Sequence, residues 1–143
     1  ENFYKTVFLN IKKKIFENKN KFEKLNILVM GITYKENCPD IRNSQVFKLI
    51  NEFNRDNKNF VYVFEPLIQT KFLNNLSKKN NFIIYRKKDF NKKKKFDFIL
   101  YALNHQKFKS FSNSKLTSLL KSNGKIFDLS QRFNYNNSRN SII

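Results

Sequence analysis

Five short strand-like stretches separated by polar and helix-patterned segments constrain this chain more than any other feature: the apolar runs in "NILVMGI" (26–32), "FVYVFEP" (60–66), "NFIIY" (81–85) and "FDFILYAL" (96–103), and "NGKIFDL" (123–129), a turn followed by a fifth strand. A strand with one wet face alternates apolar and polar residues. A run that is apolar at consecutive positions reads instead as a strand covered on both faces, the condition of a parallel sheet between helical layers. The intervening segments have helical spacing. Residues 3–16, "FYKTVFLNIKKKIF", place Phe3, Val7, Ile11 and Ile15 on one stripe, with Phe8 and Phe16 beside it. A helix is expected from about Ser44 to Asp56, burying Val46, Leu49, Ile50 and Phe53 and capped by Asn43 or Ser44. "QTKFLNNLSKK" is a weaker helix, and "SKLTSLLKS" (114–122) predicts another. "RKKDFNKKKK" is read as a solvated connector and the tail from 133 to 143 as frayed. The fold expected is α/β, a Rossmann-like doubly wound parallel sheet of about five strands preceded by an amphipathic helix.

Composition sets the outer bounds. The chain has 143 residues, 40% of them hydrophobic, enough for one domain with a core. No apolar run approaches the roughly 20 residues that span a bilayer, and no signal peptide is recognisable. One cysteine leaves no disulfide framework and no Cys-rich zinc site, so no metal is expected, and a reducing, cytoplasmic setting is. The formal net charge of +18 points toward nucleic acid or another polyanion. The chain is also rich in Lys, Asn, Phe and Ile and nearly free of alanine, the pattern of an A/T-rich coding sequence. Base composition is therefore a sufficient source of the lysine excess, and nucleic acid is expected to bind only non-specifically. A basic α/β module that binds nucleic acid stays open as an alternative.

In doubly wound sheets ligands sit beyond the carboxyl ends of the strands, at the switch in strand order. The first expected strand ends there in "GITYKENCPDIRNS" (31–44). A dinucleotide turn needs G-x-G-x-x-G and a P-loop needs G-x-x-x-x-G-K-[ST]. Gly31 stands alone, with Gly124 far away in a turn, so neither motif is present. The loop offers side chains instead. Lys35 can reach a phosphate or a sugar hydroxyl. Arg42, at the helix start, can hold an anion or pair with Asp40 or Glu36. Cys38 has cations near it, but the chain's single histidine, His105, is far off in sequence. Cys38 is read as a packing residue.

"ILVMGITYKENCPDIRNSQV", with its ordered glycine, aromatic, lysine, ENCPD and RNS, resembles the start of the C-terminal domain of the UDP-glucose/GDP-mannose dehydrogenase family, nearest the branch that oxidises UDP-N-acetylhexosamines. "VYVFEP", "FILYALNHQKF" and "GKIFDL" resemble later segments of that domain, so the likeness runs from about Lys21 to Asp128. It implies a division into residues 1–22 (helix and connector ending a central region), 23–132 (UDP-sugar-binding domain) and 133–143 (tail). It implies that Tyr34 and Lys35 contact the UDP-sugar and that Arg42 reaches NAD held by an N-terminal domain. "DLSQR" departs from the family's D-G-R, placing Ser130 at the matching position and leaving Arg132 as a further substrate candidate. The departure leans away from UDP-glucose. His105 is given no catalytic role. The family's reaction oxidises the sugar C6 alcohol twice, with NAD as oxidant, through a thiohemiacetal and thioester on a cysteine in a G-F-G-G-x-C-like context. These residues hold neither that segment nor the NAD fingerprint. No residue here is expected to be catalytic, and the chain is expected to be inactive alone. It is read as the substrate-binding part of an enzyme making UDP-hexuronic acids for surface polysaccharide, partnered by the enzyme's N-terminal part, with a homodimer left open for the full-length enzyme; an inactive gene fragment is the remaining alternative.

Overall fold

The computed structural model describes residues 3–16, 24–55 and 59–130. Strands β1 (Asn26–Met30), β2 (Phe60–Phe64), β3 (Ile83–Ile84), β4 (Phe96–Tyr101) and β5 (Leu120–Asp128) form one sheet in the order β3-β2-β1-β4-β5. Every neighbouring pair is parallel. The expected α/β class and parallel sheet are therefore present. The strand order reverses direction between β1 and β4, the position where ligands bind in such sheets.

Strands β1, β2 and β4 each feed two cores. Ile27 and Val29 of β1, Val61 and Val63 of β2, and Phe98 and Leu100 of β4 point to one face. That face is covered by α1 (Phe3–Ile11), α2 (Val46–Asn54) and α3 (Thr70–Asn80). Leu28 and Met30, Phe64, and Ile99 and Tyr101 point to the other. There they meet Phe90, Phe108, Phe111 and, from α4 (Asn113–Ser118), Leu116. Fully burying one such side chain is worth about 1.5–3 kcal/mol. This two-sided burial is why β1 and β4 lack polar alternation.

Several expected boundaries move, each for a local reason. The N-terminal helix forms, but its buried stripe is Tyr4, Val7, Phe8 and Ile11, with Phe3 59% exposed. It docks on α2 through the Phe8–Phe53 ring contact, centroids 6.0 Å apart, and continues as a wider π-helical turn, Lys12–Phe16. The expected parts of Ile15 and Phe16 in the stripe fall on side chains outside those described. Helix α2 begins at Val46, because Asn43 takes a left-handed φ of 63° and so turns the chain rather than capping it. Ser44 Oγ does accept from the Val46 N–H, at 3.4 Å. The far end expected at Asp56, like the tail 133–143, lies outside the described residues.

Strand β3 is only Ile83–Ile84, because Asn81 is spent as the left-handed C-cap of α3. The lysine-rich connector is not wholly solvated. A 3-10 turn, Lys87–Asn91, buries Asp89 and Phe90. Asp89 accepts from the Arg86 N–H (2.7 Å) and pairs with Lys92 (2.9 Å), which hold its carboxyl below the usual range. The helix expected over 114–122 stops at Ser118. There Phe96 N–H takes the Leu119 carbonyl (2.8 Å), and Leu120 pairs with Phe96 to start β5.

Candidate functional site

The strand ends are in register at the switch point: Met30 faces Phe64 on one side and Tyr101 on the other, and Tyr101 faces Asp128. Just beyond them, Gly31 has a φ of +94°, a conformation that side chains disfavour. A Cβ there would also lie 3.0 Å from the Cβ of Leu103. The chain therefore turns under the β4 end only with glycine at this position. That close approach leaves the Gly31 turn filled by Leu103.

From Gly31 the loop rises to the surface. Its root is pinned: Ile32 N–H donates to Glu65 Oε1 (2.8 Å), and Thr33 is buried, its hydroxyl donating to the Lys35 carbonyl (3.0 Å). Cys38 N–H reaches the same carbonyl (3.4 Å), and Tyr34 N–H closes the loop on the Asp40 carbonyl (2.6 Å). Backbone bonds thus fix Tyr34 and Lys35 while both side chains stay exposed, Tyr34 at 55%. Among the described residues no carboxylate lies within ion-pair range of Lys35. Its exposed ammonium can meet a phosphate, and the exposed ring of the neighbouring residue Tyr34 can offer a face to a base or a sugar.

Arg42 lies on the same loop but is already engaged. Its Nε and Nη2 grip the Asp40 carboxylate, the closest contact being 2.7 Å, while the side chain remains exposed. Those bonds pull the Asp40 carboxyl down to about 2 and raise the guanidinium further above its ordinary value. The ion-pair alternative for Arg42 is thus what the structure contains; its outer face is still open to a second anion. Arg132 lies outside the described residues. Ser130, its neighbour in the departed motif, bonds the Asp128 carboxylate through both its N–H (2.9 Å) and its hydroxyl (2.6 Å).

Beneath the loop lies a cluster that sequence reasoning missed. Glu65, at the end of β2, is 2% exposed, and His105, after β4, is completely buried. Glu65 accepts from Ile32 N–H, from Leu67 N–H (3.1 Å) and from His105 Nε2 (3.1 Å). The other ring nitrogen, Nδ1, accepts from the Asn37 N–H (3.0 Å), so the ring hydrogen sits on Nε2. Both ring nitrogens are thereby occupied. The one signal in the sequence was a carboxylate directly after the apolar run "FVYVF" and before Pro66.

Cys38 is half-buried in the loop. Among the described residues no group of His, Cys, Asp and Glu is arranged to hold a metal ion. Cys38→Ala should leave ligand affinity within about threefold, because the bond that the loop makes through the Cys38 backbone N–H is kept by alanine. A loss of a hundredfold in a calorimetric titration, with the fold intact, would make the thiol a functional group.

Residues 28–134 match the UDP-binding domain of the UDP-glucose/GDP-mannose dehydrogenase family. The chain belongs to that family. The UDP-N-acetyl-D-glucosamine 6-dehydrogenase of Salmonella typhi is 27% identical over 104 residues, 73% of this chain and 23% of the relative. The enzyme of the same name from Pseudomonas aeruginosa is 42% identical over 45 residues, 32% of this chain and 10% of its own. The solved UDP-N-acetyl-mannosamine dehydrogenase of Staphylococcus aureus shares the fold, with a TM-score of 0.62 at 22% identity over 92% of this chain and 28% of that one. The chain thus spans under a third of the length of the relatives it matches. The exposed Tyr34–Lys35 pair falls inside the matched UDP-binding domain.

Proposed function

We propose that this chain is the UDP-sugar-binding part of an NAD-dependent nucleotide-sugar 6-dehydrogenase that makes UDP-hexuronic acids, with a UDP-N-acetylhexosamine as its ligand. The observation that carries the reading is an exposed aromatic–lysine pair, its cation without an ion-pair partner among the described residues, at the switch point of a UDP-binding domain. Lys35 neutralises charge on the diphosphate, and Tyr34 packs on the bound nucleotide sugar. Arg132 is a further substrate contact, and residues 23–132 are the binding unit. The names of the curated relatives support the N-acetylhexosamine, and we read the product as serving surface polysaccharide synthesis in the cytoplasm.

NAD does not fit the residues present. The single glycine at the end of β1 is packed under Leu103, leaving no place for a pyrophosphate against the backbone. In this reading the N-terminal part of the enzyme holds NAD and supplies the reacting cysteine, and Arg42 reaches across to the cofactor with its open face. These 143 residues bind and orient the sugar nucleotide; they do not oxidise it.

Nucleic-acid binding finds less support. The phenylalanines that would stack on bases are largely interior, Phe53, Phe96, Phe98 and Phe108 among them, and Lys94 lies over the chain's own Tyr62 ring at 4.6 Å. The deciding experiment is a calorimetric titration of UDP-N-acetylglucosamine into the chain at about 150 mM salt, with single-stranded DNA in parallel, because purely electrostatic affinity has largely collapsed there. Saturable sugar-nucleotide binding below about 1 mM, a free energy of about −4 kcal/mol, is expected. Its absence from a folded sample, or tighter binding of the DNA, defeats the reading. NAD reduction by the chain alone would defeat the assignment of chemistry to another part of the enzyme.

A further inference from the structure

We propose that His105 is the positioning residue of this site, latching the loop that presents Tyr34 and Lys35 to the ends of β4 and β2. Between Tyr34 and Ser44, among the described residues, the hydrogen bonds that cross from the loop to the segment after β4 both pass through Asn37. Its N–H donates to His105 Nδ1 (3.0 Å), and its side-chain Oδ1 accepts from the Gln106 N–H (2.7 Å). Asn37 makes this reciprocal grip from a left-handed conformation, φ 61°, which asparagine tolerates better than most residues. The ring is in turn fixed from behind: Nε2–H donates to Glu65 Oε1 at 3.1 Å, with Thr33 Oγ1 at 3.4 Å. Glu65 also holds the loop's root at Ile32 (2.8 Å).

The loop is therefore tied at two points to one buried carboxylate, at its root directly and at its crest through an imidazole. The arrangement suits a binding loop. Exposed loops lose conformational freedom when they bind, and a loop already held in one conformation loses less. The binding arm of this proposal rests on reading Tyr34 and Lys35 as UDP-sugar contacts; the loop arm rests on geometry alone.

Two substitutions split the ring's two bonds. His105→Asn keeps an acceptor at the Nδ1 position for the Asn37 N–H but loses the donor to Glu65. His105→Gln keeps a donor that reaches Glu65 but loses the acceptor. The readouts are melting temperature, amide hydrogen exchange at residues 34–38, and calorimetric titration with UDP-N-acetylglucosamine. His105→Gln should speed exchange of the Asn37 amide about tenfold and weaken binding about tenfold, the size of one hydrogen bond. His105→Asn should melt at the lower temperature, yet keep the Asn37 amide protected and bind within about threefold of the parent.

A merely structural histidine would instead make exchange and affinity follow melting temperature. That ranking, or a His105→Gln variant with a protected loop and unchanged affinity, overturns the proposal. Should both variants fail to fold, the parent decides: an Asn37 amide that exchanges as fast as the exposed amide of Glu36 beside it overturns the proposal. If the parent chain binds no UDP-sugar, the proposed function falls, while the exchange measurements still decide the latch.

Discussion

Replacing Glu65 by alanine should cost the protein about 3–5 kcal/mol, the scale of breaking a buried polar pair by removing one partner. Three donors converge on this carboxylate: the N–H groups of Ile32 and Leu67 and the Nε2–H of His105. All lie where water does not reach the carboxylate, which is 2% exposed. Each donor left orphaned costs about 1–3 kcal/mol, before any cavity is counted. Against a total stability of about 5–15 kcal/mol this is a large fraction. The melting temperature should fall by about 10–20 °C for a domain of this size. Glu65→Gln should fall by less than half as much, because its Oε1 still accepts on one side while its amide group faces a donor on the other. A buried ion pair can sometimes be exchanged for apolar residues without loss. That escape is closed here. Two of the three donors are backbone groups, and a Glu65→Leu, His105→Leu double variant would still leave them unpaired. A melting temperature within about 3 °C of the parent for Glu65→Ala would mean that water enters the cluster and that it does not organise the strand ends.

The parts of the fold that were legible in the sequence are those with no ambiguity of period. Ile27–Met30 of β1 and Phe98–Tyr101 of β4 are apolar at consecutive positions because both faces are covered. The region 114–128 was misjudged because "LLKS" suits either period. A tertiary contact decides it: the Leu119 carbonyl is needed by Phe96, and the chain straightens one residue later. The lysine connector was misread for the opposite reason. Its charge is real, yet Asp89 and Phe90 within it anchor the turn, and Tyr85 O–H donates to the Asp89 carbonyl (2.8 Å). For the site, the loop was legible because its residues are contiguous. The Glu65–His105 pair was not, since 40 residues separate its members. Only the strand order, with β2 and β4 flanking β1, brings their ends together.

Lys35→Ala should weaken UDP-N-acetylglucosamine binding about 10- to 100-fold while leaving the melting temperature within about 2 °C. A charge-assisted hydrogen bond to a diphosphate is worth about 1.5–3 kcal/mol, and about 1.4 kcal/mol is a factor of ten. The side chain is exposed and makes no ion pair among the described residues, so the fold loses little when it is removed. No ion pair among the described residues has to break before this cation meets a ligand. Arg42 is the internal control. Its guanidinium is already shared with Asp40 through three close contacts, so Arg42→Ala should weaken the sugar nucleotide by less than about threefold. Lys35→Arg keeps the charge and should recover most of the loss, though a planar fork replaces a compact ammonium. Raising salt should weaken the parent more than Lys35→Ala, since the variant has already given up the screened interaction. If Lys35→Ala binds as well as the parent, or if Arg42→Ala is the more damaging change, the anion is held elsewhere on the strand ends. The Tyr34–Lys35 assignment would then fall, while the family and the fold would stand.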